Sequence, residues 1–235
     1  MTFCLFAENS YLFDTHAKII AQGSDEKGTY LVLDQTVFYP QGGGQPSDIG
    51  TIECRDLSFD VIGVRKDGDA VRHYVGNQYT DNLEGADCLC TLDVAARILN
   101  MRYHSAGHLL SNIAESICRE MIAVKAHCFP NEAYVEFQGP GICDQESIAK
   151  VMEDAIGAGL PISVFKIAGG DFEAKFYKLP YPVPPREEFR VVQIGTHKPI
   201  PCGGTHLAST GEIGNFEITK IKNKNGNLRI SFAVV

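Results

Sequence analysis

Two pairs of metal-binding side chains, far apart along the chain, limit what this polypeptide can fold into. His104-Ser-Ala-Gly-His108 and Cys202-Gly-Gly-Thr-His206 each place two strong transition-metal ligands four residues apart. On a helix, residues at that spacing lie one above the other, so His104 and His108 can aim at a single ion. The second pair adds a thiolate and another imidazole, a donor mixture that suits zinc. Two glycines after Cys202 permit the backbone angles that let one short loop point both ligands the same way. A fold that uses both pairs must bring a helix and a distant loop to one point.

Three readings of the four ligands stand at this stage. The first is one zinc per chain held by His104, His108, Cys202 and His206 and used in catalysis, with His206 the least firmly assigned. The second is a structural Cys/His₃ zinc that only staples helix to loop. The third is a Cys–His nucleophilic dyad, which leaves the helical pair unexplained.

With 235 residues, 44% of them hydrophobic and 21% charged, the chain can bury a substantial core as one large domain or two smaller ones. The N-terminal Met1–Glu8 stretch lacks a basic region, and no segment approaches the ~20 apolar residues of a membrane span. Eight cysteines without a Cys-x-x-Cys read as reduced thiols of a cytoplasmic protein: Cys4, Cys54, Cys118, Cys128 and Cys143 as packing residues, Cys88 and Cys90 as strand positions. The formal charge of −8 argues against a broad nucleic-acid footprint. Its distribution is uneven, however. Residues 160–235 carry ten Lys/Arg against six Asp/Glu, and the rest carry eleven against twenty-three. Lys220, Lys222 and Lys224, with Arg229, alternate as on a solvated strand face or a small phosphate footprint.

The first ninety residues read as short strands: Thr29–Val32, Val37–Tyr39, Gly50–Cys54, Ser58–Val64, Ala70–Val75 and Asp87–Leu92, with Asp67-Gly68 as a hairpin turn. Close spacing of this kind predicts a small β-barrel. Asp93 then caps a long amphipathic helix over Val94–Ile122, with the histidines at the edge of its apolar stripe and Arg97 and Arg102 elsewhere on its surface. Ala133–Phe137, Gln145–Gly157 and Ile162–Lys166 follow as strand, helix and strand, and Pro180–Pro185 as an extended connector. Arg190–Ile194 leads to the Cys202 loop, and Phe216–Thr219 and Leu228–Phe232 form a final hairpin. The expected class is α+β: a barrel domain at 1–90 and a two-layer α/β sandwich at 91–235.

Tyr39-Pro-Gln-Gly42-Gly43-Gly44-Gln45-Pro46 marks either a barrel turn or a loop that closely approaches a ligand. It lacks the Lys and Ser/Thr of a P-loop, so no nucleotide cofactor is expected.

The ligand pairs and their surroundings resemble a known family. His104-x₃-His108-Leu-Leu and Pro201-Cys-Gly-Gly-Thr-His206, followed by Thr210-Gly-x-Ile-Gly-x-Phe216, are similar to the editing domain of alanyl-tRNA synthetase and its free-standing AlaX relatives. Arg229-Ile230 and Asp93-x₃-Arg97 fit the same pattern. Gly42-Gly43-x-Gln45-Pro46 within an N-terminal barrel resembles the longer AlaX type. The resemblance implies a zinc-dependent aminoacyl-tRNA deacylase that clears serine first, with glycine the second candidate, from misacylated alanine tRNA in trans. It implies catalytic roles for His104, His108 and Cys202. Gly42, Gly43, Gly44, Gln45 and Thr205 would then contact the substrate. A threonine-tRNA editing hydrolase and a non-catalytic zinc-stapled tRNA-binding module are the alternatives. The relatives usually carry Thr where this chain has Gly107, and a Gln-Lys-Gly-Ser-like stretch where it has Val124-Lys-Ala-His127. Both departures bear on the amino-acid pocket, not on the metal ligands, and His127 reads as a surface or rim residue. His16, His73 and His197 receive no role, and the sequence leaves the oligomeric state open.

Overall fold

The chain divides into two compact units, Met1–Asn100 and Met101–Val235. A computed structural model describes residues 1–76, 81–139, 144–175, 186–224 and 226–235. Cys143, Asn225 and the Pro180–Pro185 connector lie outside the described residues. The architecture is α+β, with an N-terminal barrel.

The first unit contains β1 (Phe3–Cys4), β2 (Asp14–Asp25), β3 (Gly28–Leu33), β4 (Gln35–Thr36), β5 (Gly50–Cys54), β6 (Leu57–Asp67), β7 (Ala70–Val75) and β8 (Asp87–Leu92). Six of these close a barrel in the order β2-β3-β7-β6-β5-β8. Closure is antiparallel, with Asp14 opposite Thr91 and Lys18 opposite Asp87. Inward side chains alternate with outward ones. On β8, Cys88, Cys90 and Leu92 are buried while Asp87 and Thr91 are exposed. Cys54, Cys88 and Cys90 join Ile52, Phe59 and Leu33 in the barrel core as apolar filling.

Two expectations for this unit fail for local reasons. The twelve-residue β2 was not foreseen, because only Ala17 and Ile19 of its side chains are buried and most of its other residues are polar. Val37–Tyr39 is buried but is not a strand. Its N–H groups turn to side chains, Phe38 to Thr36 Oγ1 at 3.0 Å and Tyr39 to Asp48 Oδ2 at 2.6 Å.

Helix α1 runs over Val94–Ile117. Asp93 caps it as expected: its Oδ1 accepts the Ala96 N–H at 3.0 Å and its carbonyl accepts the Arg97 N–H at 3.0 Å. Three features depart from the expected helix. It is buried on every side from Tyr103 to Ala114, where an amphipathic pattern was expected. It ends five residues early, because Ile122–His127 forms β9 and pairs with a neighbouring strand. And Arg97 is not a surface residue but fully buried, its guanidinium paired with Asp48 and donating to the Ser10 carbonyl at 2.7 Å.

The second unit continues with β10 (Tyr134–Gln138), α2 (Gln145–Gly157), β11 (Ile162–Ala168), the unforeseen α3 (Gly169–Lys175), β12 (Glu188–Ile194), β13 (Ile200–Pro201), β14 (Phe216–Lys224) and β15 (Asn227–Val234). A four-stranded antiparallel sheet has the order β14-β15-β10-β9, and a three-stranded sheet the order β11-β12-β13. On β15, Leu228, Ile230, Phe232 and Val234 are buried, with Phe232 packed on Tyr103 of α1 at a ring separation of 5.9 Å. Asp144 caps α2 by accepting the Glu146 and Ser147 N–H groups. None of the seven described cysteines is in a disulfide. Among the described residues, no helix is long and apolar enough to cross a membrane.

Candidate metal centre

His104 and His108 occupy successive turns of α1, with ring centroids 4.9 Å apart. The second pair reaches them from a loop launched by β13. That strand pairs antiparallel with β12, Val191 opposite Pro201, and the ladder continues through Cys202 N–H donating to the Arg190 carbonyl at 3.1 Å. The loop then curls back, so that Gly204 N–H donates to Cys202 Sγ at 3.3 Å.

The four ligands meet. One donor atom from each of His104, His108, Cys202 and His206 lies within 4.8 Å of the others. Cys202 Sγ is 3.6 Å from His104 Nε2 and 3.4 Å from His206 Nε2. Ligand atoms around a tetrahedral ion with bonds of ~2.0–2.3 Å stand roughly 3.3–3.8 Å apart, so these separations fit a shared ion.

Neighbours fix the rings. His104 Nδ1 donates to the Thr205 carbonyl at 3.3 Å, which leaves Nε2 with a free lone pair. Ser105 Oγ accepts the Leu207 N–H at 3.2 Å and lies 3.1 Å from His206 Nδ1, steering the other Nε2 toward the sulfur. His108 Nδ1 is buried without a hydrogen-bond partner among the described residues. A buried polar atom left unpaired costs ~1–3 kcal/mol, and a cation accepted by this ring would supply the missing partner.

The electrostatics favour the ligand state. Burial holds His104 down to about 4 and pushes His108 and His206 well below the ordinary imidazole value, aided by the neighbouring rings and the Arg190 charge. All three rings are therefore neutral at neutral pH, the form that binds metal. Burial pushes the Cys202 thiol up, while the Gly204 N–H and the Arg190 charge pull it down. The donor set can hold a metal ion, and its softness and geometry are consistent with zinc.

Arg190 was not singled out from the sequence. Its Nη1 donates to the carbonyls of both Cys202 and Gly204, at 2.8 and 2.9 Å, clamping the ligand loop from β12. The only sequence signal was its position opposite Cys202 across a strand pair. Ser105, inside the histidine motif, was also overlooked.

Gly107 has a packing explanation. A Cβ there would stand 2.7 Å from Cys128 Sγ, and Cys128 is fully buried. The thiol occupies the space a larger residue 107 would need. His127 is not among the four clustered ligands: it stacks on Phe129 at 4.2 Å and faces Glu132 at 3.5 Å. His73 does have a role, a structural one in the barrel, with Nε2 2.7 Å from Thr36 Oγ1 and Nδ1 3.1 Å from the Leu31 carbonyl.

The glycine-rich segment belongs to the first unit and forms a tight turn. Gly42 and Gln45 exchange backbone hydrogen bonds of 3.2 and 2.9 Å, and Gly43 and Gly44 take φ of 54° and 80°. These left-handed angles are why glycine stands there. Because Gly42 and Gln45 bond each other, any N–H offered outward comes from Gly43 or Gly44. Thr205 is buried, and its carbonyl orients His104.

Residues 189–230 match the model of the threonyl and alanyl tRNA synthetase second additional domain, and residues 7–95 match that of class II (A) tRNA synthetases. The alanine–tRNA ligase of Ignicoccus hospitalis is 31% identical over 97% of this chain, and that of Pyrobaculum neutrophilum is 33% identical over 93%. The chain spans about a quarter of the length of these ligases, 25% in each case. An alanyl-tRNA editing protein AlaX-M of Methanosarcina barkeri is 30% identical over 100% of both chains. The chain belongs to the AlaX family of alanyl-tRNA editing proteins.

Proposed function

We propose that this protein is a cytoplasmic, zinc-dependent deacylase that hydrolyses in trans the ester joining a wrong amino acid to alanine tRNA, serine first and glycine second. The observation that carries the reading is the convergence of His104, His108, Cys202 and His206 within 4.8 Å, in a chain alignable end to end with an alanyl-tRNA editing protein. Zinc, when bound, supplies polarisation of an ester carbonyl and of water at neutral pH.

The chain's own residues set up that chemistry. His104, His108 and Cys202 provide the firm donors. Thr205 and Ser105 fix the two rings they touch, and Arg190 adds positive charge beside the site and holds the loop. Four protein donors fill a tetrahedral set, whereas a catalytic ion keeps a position open. His206 is the donor we expect to be dispensable. Metal analysis tests this: His104→Ala and Cys202→Ala should lose zinc while His206→Ala retains part of it. Full retention in the first two would end the proposal.

The Gly42–Gln45 turn is proposed to limit the volume of the amino-acid pocket and to offer N–H groups to a hydroxyl that alanine lacks, so the correct ester is spared. Gly43→Ala should erode serine-over-alanine discrimination, and unchanged discrimination would refute that role.

The decisive assay incubates the protein with Ser-, Gly- and Ala-charged alanine tRNA, and with Ser-charged threonine tRNA, with and without a chelator. Metal-dependent loss of the serine ester, and secondarily of the glycine ester, is expected on alanine tRNA, with the alanine ester and the threonine tRNA spared. Preferential hydrolysis on threonine tRNA would reassign the substrate. Binding without hydrolysis would make the ion a staple.

A further inference from the structure

The four-stranded sheet of the second unit buries one face and leaves the other open, and the open face carries the chain's concentration of positive charge. Registers across β14, β15, β10 and β9 define two rows. Lys222, Arg229, Glu136 and Lys125 form one, and Lys220, Ser231, Tyr134 and His127 the other. On β10 and β15 the buried partners Val135, Phe137, Ile230 and Phe232 point the opposite way. Strands lie ~4.8 Å apart, so the charged rows stretch roughly 14 Å across the sheet.

Not all of these charges are available. Arg229 stacks 3.6 Å from the Tyr134 ring centre and donates through Nε to Glu136 Oε1 at 2.8 Å, so it is neutralised and fixed in place. Lys125, Lys220 and Lys222 are exposed, and among the described residues none of them forms an ion pair. Apart from Glu136, which Arg229 neutralises, carboxylates flank the rows among the described residues, Glu217 opposite Ala233 and Glu132 beside His127. Among the described residues, the other exposed lysines of this unit are paired: Lys150 with Asp154, Lys166 with Glu188 and Lys198 with Glu115.

We propose that Lys125, Lys220 and Lys222 form a docking surface for the phosphate backbone of tRNA. This rests on the editing reading and adds the surface by which the polyanion is held. A chain of formal charge −8 repels a polyanion overall, so a local row of cations without ion pairs, Lys125 among them with its Nζ 6.0 Å from the Tyr134 ring centre, decides which face the nucleic acid approaches. The contact positions rather than specifies, because phosphates carry no base identity. Base stacking is not part of it, since Arg229 already covers a face of Tyr134.

The test is fluorescence anisotropy of labelled, uncharged alanine tRNA across a KCl series. Three proteins are compared: the unaltered chain, K125Q/K220Q/K222Q, and the control K150Q/K166Q/K198Q, which removes equal charge from paired lysines. Each phosphate contact contributes ~0.7–0.9 to the slope of log affinity against log salt. The face variant should therefore lose about 2 units of slope and at least about tenfold in affinity at ~0.1 M salt. The control should keep the slope of the unaltered chain, and deacylation at saturating tRNA should be preserved in the face variant with KM raised. An unchanged slope in the face variant, or an equal change in the control, overturns the proposal. So does a face variant that binds tRNA normally but loses binding to phosphatidylserine vesicles. If the unaltered chain deacylates and these results are negative, only the docking surface falls. If it neither binds nor deacylates, the editing reading falls as well.

Discussion

Arg97→Met should unfold the barrel unit at much lower denaturant. The Arg97 side chain is wholly buried beside Asp48, which is 1% exposed. Its Nε meets Asp48 Oδ1 at 2.9 Å, a second nitrogen meets Asp48 Oδ2, and the rest of the fork donates to the carbonyls of Ser10 at 2.7 Å and Val37 at 2.5 Å. Breaking a buried pair by removing one partner costs ~3–5 kcal/mol, because the other charge is left uncompensated. The buried Val37 carbonyl also loses its donor, another ~1–3 kcal/mol, while Ser10 is partly exposed and can turn to water. We expect a loss of at least about 4 kcal/mol, against a typical domain stability of ~5–15 kcal/mol. Asp48→Asn in the same chain removes the stranded charge yet keeps an acceptor for the Tyr39 N–H, so the double variant should recover part of the loss. The chain has no tryptophan, so urea unfolding followed by far-ultraviolet circular dichroism is the suitable assay. A single variant within ~1 kcal/mol of the original, or a double variant no better than the single, would refute the reasoning. Val37 and Asp48 bracket the Gly42–Gln45 turn and Arg97 binds both, so the pair bears on the role proposed for that turn.

Three further outcomes are expected. Gly107→Ala should destabilise by ~1–3 kcal/mol, although alanine is the better helix former by ~1 kcal/mol, because its Cβ meets Cys128 Sγ. Adding Cys128→Ala should restore stability, measured by the same unfolding assay. Burial holds His73 at about 4 against 6.5 in the unfolded chain. As pH falls through that window the unfolded state takes up the proton first, so stability, complete above ~6.5, drops by about 3 kcal/mol on reaching ~4. His73→Gln should flatten that part of the stability–pH curve. Arg190→Gln, by releasing the Cys202 and Gly204 carbonyls, should speed zinc loss to a chelator about tenfold or more, and Arg190→Lys should rescue only partly, since a lysine lacks the planar fork.

What the sequence disclosed, it disclosed through periodicity and ligand chemistry. The hairpin at Asp67-Gly68, the Asp93 cap and helix α2 at Gln145–Gly157 follow from turn residues, capping side chains and helical spacing. The four ligands were recognisable because His-x₃-His and Cys-x₃-His need only local geometry to aim their side chains. Elements set by distant partners were not legible. β2 is polar on most of its length and is held by β3 and β8, and Ile122–His127 pairs as β9 where a continued helix was expected. Arg97 looked like a surface cation because its partner Asp48 lies 49 residues away. Arg190 escaped notice for a related reason, since its contact with the metal loop exists only once β12 and β13 pair. The absence of a larger residue at Gly107 became intelligible when Cys128 was seen to fill its place.

Zinc titration of metal-stripped protein, read as serine released from Ser-charged alanine tRNA, tests the central claim most directly. Activity should be absent in the stripped protein, rise linearly with added zinc and break at one ion per chain. A stripped protein that still releases serine at the full rate, or one that takes up a zinc ion without gaining activity, would contradict the assignment of these four residues to a catalytic metal centre.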